Sequence, residues 1–525
     1  LIPRNTALIA SAAAVLSLLA LAWFAAHHQL LLYGDAVAHL HIARRIFDTT
    51  DPALSNLGSV WLPLPHLLLV PFVMITPWWQ SGFAGAVPSM ISYVFAVVAL
   101  FRLAQLWLPL RWSILATAMF ALNPGLLYMQ TTAMTEPLFL ALFLWSLVFT
   151  ADCIAAVDAG ADNRAAAALL KTGVVLAAAV LSRYDGWVLT AFVGVLLLAM
   201  RGRRILTGSP RLRLAAVAFT LLVLAAPLSW MWFNARYFHD PLDFLRGPYS
   251  AKAIEARTAV PGHIPHPGYH RPWIAFRYYL RVATLGAARG AVGNFVLVLF
   301  SIGGSVLLLR RNRILAGVAL LLWFPLPFYT YSVGYGSVPI FMPIWPPNAF
   351  YNTRYGMELL PALALFPVAA IYFAARWLHR DGALLRLAWV LAAVNAVLLA
   401  VGTPLVLKEA EANSATRIPF EDALAAAIKP IGAHERVLMY ASAYAGALQE
   451  AGRPLRETIK ETDYYAWPAA LQDPAAHADY VIAVAGDPVA AAVAAHPQGL
   501  AVERIITCQG QPRAILYRNV KTTPR

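Results

Sequence analysis

Residues 61–79 read WLPLPHLLLVPFVMITPWW, and the fold turns on whether this stretch crosses a membrane. It is long and apolar enough to span, since a bilayer core takes about 20 apolar residues per helix. Yet it carries Pro63, Pro65, Pro71 and Pro77, together with His66, and each interior proline removes a helix hydrogen bond. The charges that follow decide between the two readings. If 61–79 spans, the loop with Arg201, Arg203, Arg204, Arg211 and Arg213 falls outside the cell. If it does not, that loop lies inside, together with Arg310, Arg311 and Arg313 and with Arg376, Arg380 and Arg386. Short cytoplasmic loops are the ones that collect Lys and Arg. Segment 61–79 therefore reads as re-entrant or lying on the membrane surface.

Outward from there, apolar runs recur along the chain. The run 5–34 has no Asp, Glu, Lys or Arg, and its first part spans. No small-residue cleavage site follows it, so it reads as a span and not as a removable signal. Further spans are expected at 85–107, 113–130, 135–152, 166–182, 187–200, 213–233, 289–309, 314–331, 356–376 and 384–406. Eleven spans put the N-terminus inside and the C-terminus outside. The segments 33–60, 131–136, 183–186, 234–288 and 332–355 then share the outer side.

Composition agrees. Of 525 residues, 60% are hydrophobic and 13% charged, about half the charge of a soluble domain. Mean hydropathy is +0.62. These values exclude an ordinary soluble enzyme and a disordered chain. The net charge of +14 is uneven: residues 1–407 hold 28 Lys and Arg against 13 Asp and Glu, whereas 408–525 hold 12 against 13. The basic residues sit at the ends of apolar runs, so no nucleic-acid surface is expected. Cys153 and Cys508 are the only cysteines, too few for a disulfide framework.

Composition changes at 408. VLMYA (437–441), DYVIAVAG (479–486), AVERIITC (501–508) and AILYRN (514–519) read as strands, and 419–429, 442–451 and 487–496 as helices. The expected fold is an all-α polytopic membrane domain over 1–407 with a small extracytoplasmic α/β domain over 408–525. The tail has no glycine-rich phosphate loop.

Several polar residues stand out on the outer side. Asp35 follows the first span in YGDAVAHLHIARRIFD, and a carboxylate at a membrane boundary suggests function. The competing reading is an N-cap for a surface helix. His39 and His41 lie close by on that helix, and Arg44 and Arg45 are expected to face anionic headgroups. Glu136, in TTAMTEPLFL, opens a span; it reads equally as a helix-start acid before Pro137. Arg183, Tyr184 and Asp185 lie in SRYDGW, where a local Arg183–Asp185 pair is the structural alternative. Arg354 and Tyr355 lie in NAFYNTRYGMELLP. An outward arginine beside a cleft suits a phosphate. In HIPHPGYH (263–270) the three histidines lack accompanying acids, and the stretch reads as a solvated loop.

Taken together, YGDAVAHLHIARRI, TEPLFL, SRYDGW and RYGMELLP resemble the motifs of the GT-C superfamily of integral-membrane glycosyltransferases. The likeness is strongest to the family 39-like group of protein O-mannosyltransferases and aminoarabinose transferases. HDPLDFL (239–245) and WLPLPH add to it. The resemblance implies an enzyme of the inner membrane that moves a sugar from a polyprenyl-phosphate donor to an acceptor hydroxyl, with inversion, at the extracytoplasmic face. Asp35 matches the family's catalytic acid. Many members carry a second acid directly after it, where this chain has Ala36; His39 or Asp48 are the residues at hand to compensate. No WWD-type signature of oligosaccharyltransferases is present.

Under that reading Asp35 is the base and Glu136 a second catalytic acid. Arg183 and Arg354 bind the donor phosphate, and His39, Tyr184, Asp185 and Tyr355 line the substrate. The partners are the lipid-linked sugar, a lipid, glycan or protein acceptor, and membrane lipids. No cofactor is singled out beyond a divalent cation, around which Asp35, His39 and Glu136 could gather. A lipid transporter or flippase would want charge near the bilayer midplane. A non-catalytic receptor would use the polar rim only for docking.

Overall fold

The computed structural model describes residues 3–258, 265–311 and 313–520. Among them, nine helices are long and apolar enough to cross a membrane: Arg4–Ala26, Phe83–Ala104, Glu136–Asp158, Asp162–Val180, Pro210–Phe238, Ala291–Arg311, Leu315–Tyr335, Thr353–Trp377 and Asp381–Ser414. The protein is an integral membrane protein. The outward face of Pro210–Phe238 shows why: Leu214, Val217, Leu221, Leu224, Leu228 and Trp232 form an exposed apolar stripe at helical spacing, which water would not tolerate and lipid tails solvate.

Two of the eleven expected spans fall outside that set. The stretch 113–130 breaks into Leu110–Ala121 and Pro124–Met129, because Pro124 cannot continue a helix and Asn123 Oδ1 caps the second piece through Leu126 N at 3.1 Å. The stretch 187–200 lies in the helix Asp185–Thr207, whose apolar part is brief before Arg201, Arg203 and Arg204. Segment 61–79 forms two short helices, Pro63–Val73 and Thr76–Ser81. At 1.5 Å per residue the longer rises about 16 Å, roughly half a bilayer core.

The chain forms two compact units. The first comprises Leu1–Ala26, Ser59–Pro65 and Pro88–Glu409. Its interior is built on Glu136–Asp158 and Thr353–Trp377, the latter with 78% of its apolar window buried against 17% for Pro210–Phe238. The helix Asp162–Val180 packs on both Glu136–Asp158 and Pro210–Phe238, and Ala291–Arg311 packs on Leu360–Trp377. The last approach is close: a Cβ at Gly304 would stand 1.9 Å from Phe366 O, so only glycine fits there.

The second unit comprises His27–Gly58, His66–Val87 and Ala410–Arg525. The boundary expected at 407 assigned all of 1–407 to one domain. The first loop and most of segment 61–79 instead belong to the same compact unit as the tail, through pairings remote in sequence. The tail carries a five-stranded sheet: β1 (Val437–Met439), β2 (Thr458–Ile459), β3 (Tyr480–Val484), β4 (Leu500–Ile506) and β5 (Ala514–Asn519), in the order β2-β1-β3-β5-β4. β1 pairs in parallel with β2 and β3, while β5 runs antiparallel to β3 and β4. Leu438, Ile459, Val481, Val489 and Val493 fill its core. The four strands read from sequence are present; β2, of two residues, has too short a pattern to announce itself.

Candidate active site

In the first unit several of the polar motifs converge on one buried ionic cluster. The turn between Asp162–Val180 and Asp185–Thr207 places Arg183, and it closes tightly: a Cβ at Gly186 would meet Ala179 O at 2.3 Å. Arg183 Nε donates to Asp185 Oδ2 at 3.1 Å. Its Nη1 donates to Thr135 Oγ1 at 2.9 Å and Glu136 Oε1 at 3.3 Å. Its Nη2 donates to the Tyr329 hydroxyl at 2.8 Å and stands 3.0 Å from Glu358 Oε1. The five donors of the guanidinium thus meet five acceptors.

Glu136 Oε1 also accepts from Arg354 Nε at 3.1 Å, so this carboxylate bridges the two arginines. Arg354 Nη1 lies 3.5 Å from Glu409 Oε1. Glu409 in turn accepts from Thr353 N at 2.8 Å and from the Thr353 hydroxyl. Two guanidiniums therefore meet four carboxylates: Glu136, Asp185, Glu358 and Glu409. Glu136 Oε2 and Glu358 Oε2 are buried with no hydrogen-bond partner.

Stacked tyrosines back the cluster. The Tyr279 and Tyr329 rings lie 4.8 Å apart, and those of Tyr329 and Tyr355 lie 5.0 Å apart. Arg183 and Arg354 stand 5.3 and 5.0 Å from the Tyr355 ring centre, within cation–π range. The Tyr329 hydroxyl is 2.7 Å from Glu358 Oε1 and 3.1 Å from Asp185 Oδ2, so its single proton ties one of two neighbouring carboxylates.

Of the residues singled out from sequence, the structure brings together Glu136, Arg183, Asp185, Arg354 and Tyr355. Tyr184 points elsewhere: its hydroxyl donates to Val60 O at 2.6 Å, its ring stacks on Phe244 at 5.3 Å, and burial pushes its phenol pKa up. Sequence reading missed Glu358, Tyr329, Tyr279 and Glu409. For Glu358 a signal existed, since it is the only acid in the expected span 356–376, where an ionisable residue is costly. For Tyr329, one of 21 tyrosines, there was none.

In the second unit, Asp35 is half-buried in the first turn of the helix Gly34–Arg45. The N-cap position belongs to Tyr33, which makes no side-chain cap hydrogen bond, so Asp35 is not the cap. Negative charge in a first turn suits the helix dipole. His39 Nδ1 lies 2.9 Å from His66 Nε2, both rings buried. His41 is buried too; desolvation, then Arg45 and Lys460, hold its pKa well below the usual histidine range.

Arg44 and Arg45 do not face headgroups. Both are buried. Arg44 Nε donates to Asp48 Oδ2 at 2.8 Å, and its other nitrogens reach Val73 O at 2.6 Å and Thr76 Oγ1 at 3.3 Å. Arg45 Nε donates to Asn56 O. Asp48, pairing with Arg44 and 3.6 Å from Arg456 Nη1, is committed to this scaffold.

Among the described residues, no group of three or more His, Cys, Asp or Glu could hold a metal ion. His263 lies outside the described residues. His266 Nε2 is 3.9 Å from Glu255 Oε1, and His270 stacks on Tyr269 at 4.1 Å.

No family model matches the sequence, and no curated protein matches it. Solved structures do. ArnT from Cupriavidus metallidurans bound to undecaprenyl phosphate aligns at a TM-score of 0.57 and 12% identity, covering 99% of both chains. The same protein in the apo state aligns at 0.54 and 12%, covering 93% of this chain and 94% of that one. The chain shares its fold with ArnT. An oligosaccharyltransferase from Archaeoglobus fulgidus, in complex with zinc and sulfate, aligns at 0.46 and 14%, covering 91% of this chain and 68% of the other.

Proposed function

We propose that this protein is a membrane glycosyltransferase that moves a sugar from a polyprenyl-phosphate donor to an acceptor hydroxyl at the extracytoplasmic face, with inversion. The observation that carries the reading is the likeness to ArnT over the full length of both chains, tail included; that relative binds undecaprenyl phosphate. The Lys and Arg residues at the span ends support the orientation.

In this reading the Asp35 carboxylate takes the proton of the acceptor hydroxyl as its oxygen attacks the anomeric carbon. The bond from that carbon to the phosphate oxygen breaks, and the polyprenyl phosphate leaves with the electron pair. Cationic donors stabilise its growing charge. Arg183 and Arg354 are the candidates for that role. Arg183, whose five donors meet five acceptors, can take a phosphate only by exchanging one of them. Glu136 then acts by orienting both guanidiniums, and His39, Asp185 and Tyr355 are read as lining the substrate. The cluster sits at helix starts and turns, not mid-span, which disfavours a transporter.

The test is release of undecaprenyl phosphate by the purified full chain. The probes are undecaprenyl-phosphate-linked pentoses and hexoses, with a membrane lipid and glycan extract as acceptor. Asp35→Asn should lower the rate about 10²–10⁴-fold without weakening donor binding. Arg354→Lys should weaken donor use about tenfold, the scale of a charged hydrogen bond. A folded Asp35→Asn protein active to within a few-fold of wild type would remove Asp35 from the mechanism.

A further inference from the structure

We propose that Arg417 is a positioning residue for Asp35, fixing the entry of the helix that carries it; this rests on the reading of Asp35 as the base. The helix Gly34–Arg45 begins without a side-chain cap. Its first amides turn back on a single carbonyl, Tyr33 O, which accepts from Ala36 N at 3.1 Å and Val37 N at 3.3 Å. The path of residues 31–33 therefore sets the helix axis, and with it the direction of Asp35.

That path is held by a side chain from the tail. Arg417 opens the helix Arg417–Ile428. Its Nη2 donates to both Leu31 O and Leu32 O at 3.0 Å, so one nitrogen fixes two successive peptide planes. Its Nη1 is bound by Glu421, a buried carboxylate one turn along the same helix. The guanidinium is thus anchored on one edge and grips the backbone with the other. At Gly34 a Cβ would stand 3.8 Å from Arg417 Nε, so the arginine also lies in contact range of the residue just before Asp35.

The anchor is itself secured. The buried Lys460 Nζ donates to Thr49 Oγ1 at 2.8 Å and to Asp463 Oδ1 at 3.2 Å, while Thr49 Oγ1 donates to Asp463 at 3.0 Å. Gln449 Nε2 donates to Trp79 O at 2.6 Å. The tail and the first loop belong to one compact unit, and Arg417 grips the backbone three and four residues before Asp35. A displacement of about 1 Å in a reacting group can cost on the order of 10²-fold in rate.

The experiment uses the full chain in lipid nanodiscs and the same undecaprenyl-phosphate-linked sugars. Arg417→Met should lower kcat about tenfold or more with the donor KM within about twofold. Arg417→Lys, which keeps one donor in reach, should recover part of the loss. In an Asp35→Asn background Arg417→Met should cost nothing further, because it acts through Asp35. Amide exchange at Ala36 and Val37 should accelerate in Arg417→Met. If that variant does not fold, Glu421→Gln, which frees one edge of the guanidinium, is read the same way. Full kcat in a folded variant, a loss that repeats without Asp35, or unchanged exchange at residues 36 and 37 would each overturn the inference. Wild-type protein that turns over no donor would instead overturn the transferase reading.

Discussion

Some arginines of each unit are buried or half-buried, and they do different work in the two. In the first unit Arg183 and Arg354 bind side-chain carboxylates: Glu136, Asp185, Glu358 and Glu409. In the second, Arg44, Arg45 and Arg417 reach backbone carbonyls: Val73, Asn56, Leu31 and Leu32. The first arrangement balances charge where water is scarce. The second holds the chain where short helices begin or end. A guanidinium suits both, since it cannot lose its proton and presents several donors in one plane.

The largest effect expected from this difference is at Arg183. Replacing it by Gln leaves three carboxylates facing one another with one cation fewer. Breaking a buried pair in this way costs about 3–5 kcal/mol, and folded protein recovered in detergent should fall sharply. The double variant Arg183→Gln with Glu358→Gln should restore much of that recovery. If the double is no better than the single, charge balance is not what Arg183 supplies.

A smaller loss is expected at Arg44. Arg44→Met removes the donors to Asp48, Val73 O and Thr76 and should destabilise the second unit by about 2 kcal/mol. Limited proteolysis of the full chain should then cut first within 27–58, leaving the helices of the first unit intact. Cleavage that begins in the membrane helices would mean that the contact serves charge and not chain path.

The smallest effect concerns pH. His41 is held well below its ordinary value, 6.5, chiefly by burial. Below 6.5 the unfolded chain binds a proton that the folded chain refuses. Stability contributed at higher pH is therefore lost as pH falls from 6.5 through the folded value. Each unit of difference is worth about 1.4 kcal/mol. His41→Gln should flatten the fall in melting temperature over that range; an unchanged slope would assign it to another group.

Sequence carried the helices, the sheet and most of the ionic cluster, because each rests on a local signal: apolar runs, alternating strands, odd charges at span ends. It did not carry the break at Asn123–Pro124, where an apolar run of spanning length hid a cap and a stop. It misplaced Arg44 and Arg45, because amphipathic spacing says only that a face is polar, not what covers it. Residues whose partners lie hundreds of positions away, such as Thr49 with Lys460 or Leu31 with Arg417, left no pattern in one chain read alone. The fully engaged donors of Arg183 likewise emerge only in three dimensions.

The discontinuous make-up of the second unit bears on how the protein is born. Residues 27–58 emerge early, but Arg417, Lys460 and Asp463 follow several hundred residues later. At roughly 5–20 residues per second, the first loop waits about 20–80 s for its partners. During that interval Arg44 and Arg45 can already bind Asp48, Asn56, Val73 and Thr76, while Asp48 still lacks Arg456. Shortening the chain at 407 would prolong that wait without end, so a truncated protein should be a target for quality-control proteases and not a smaller stable protein.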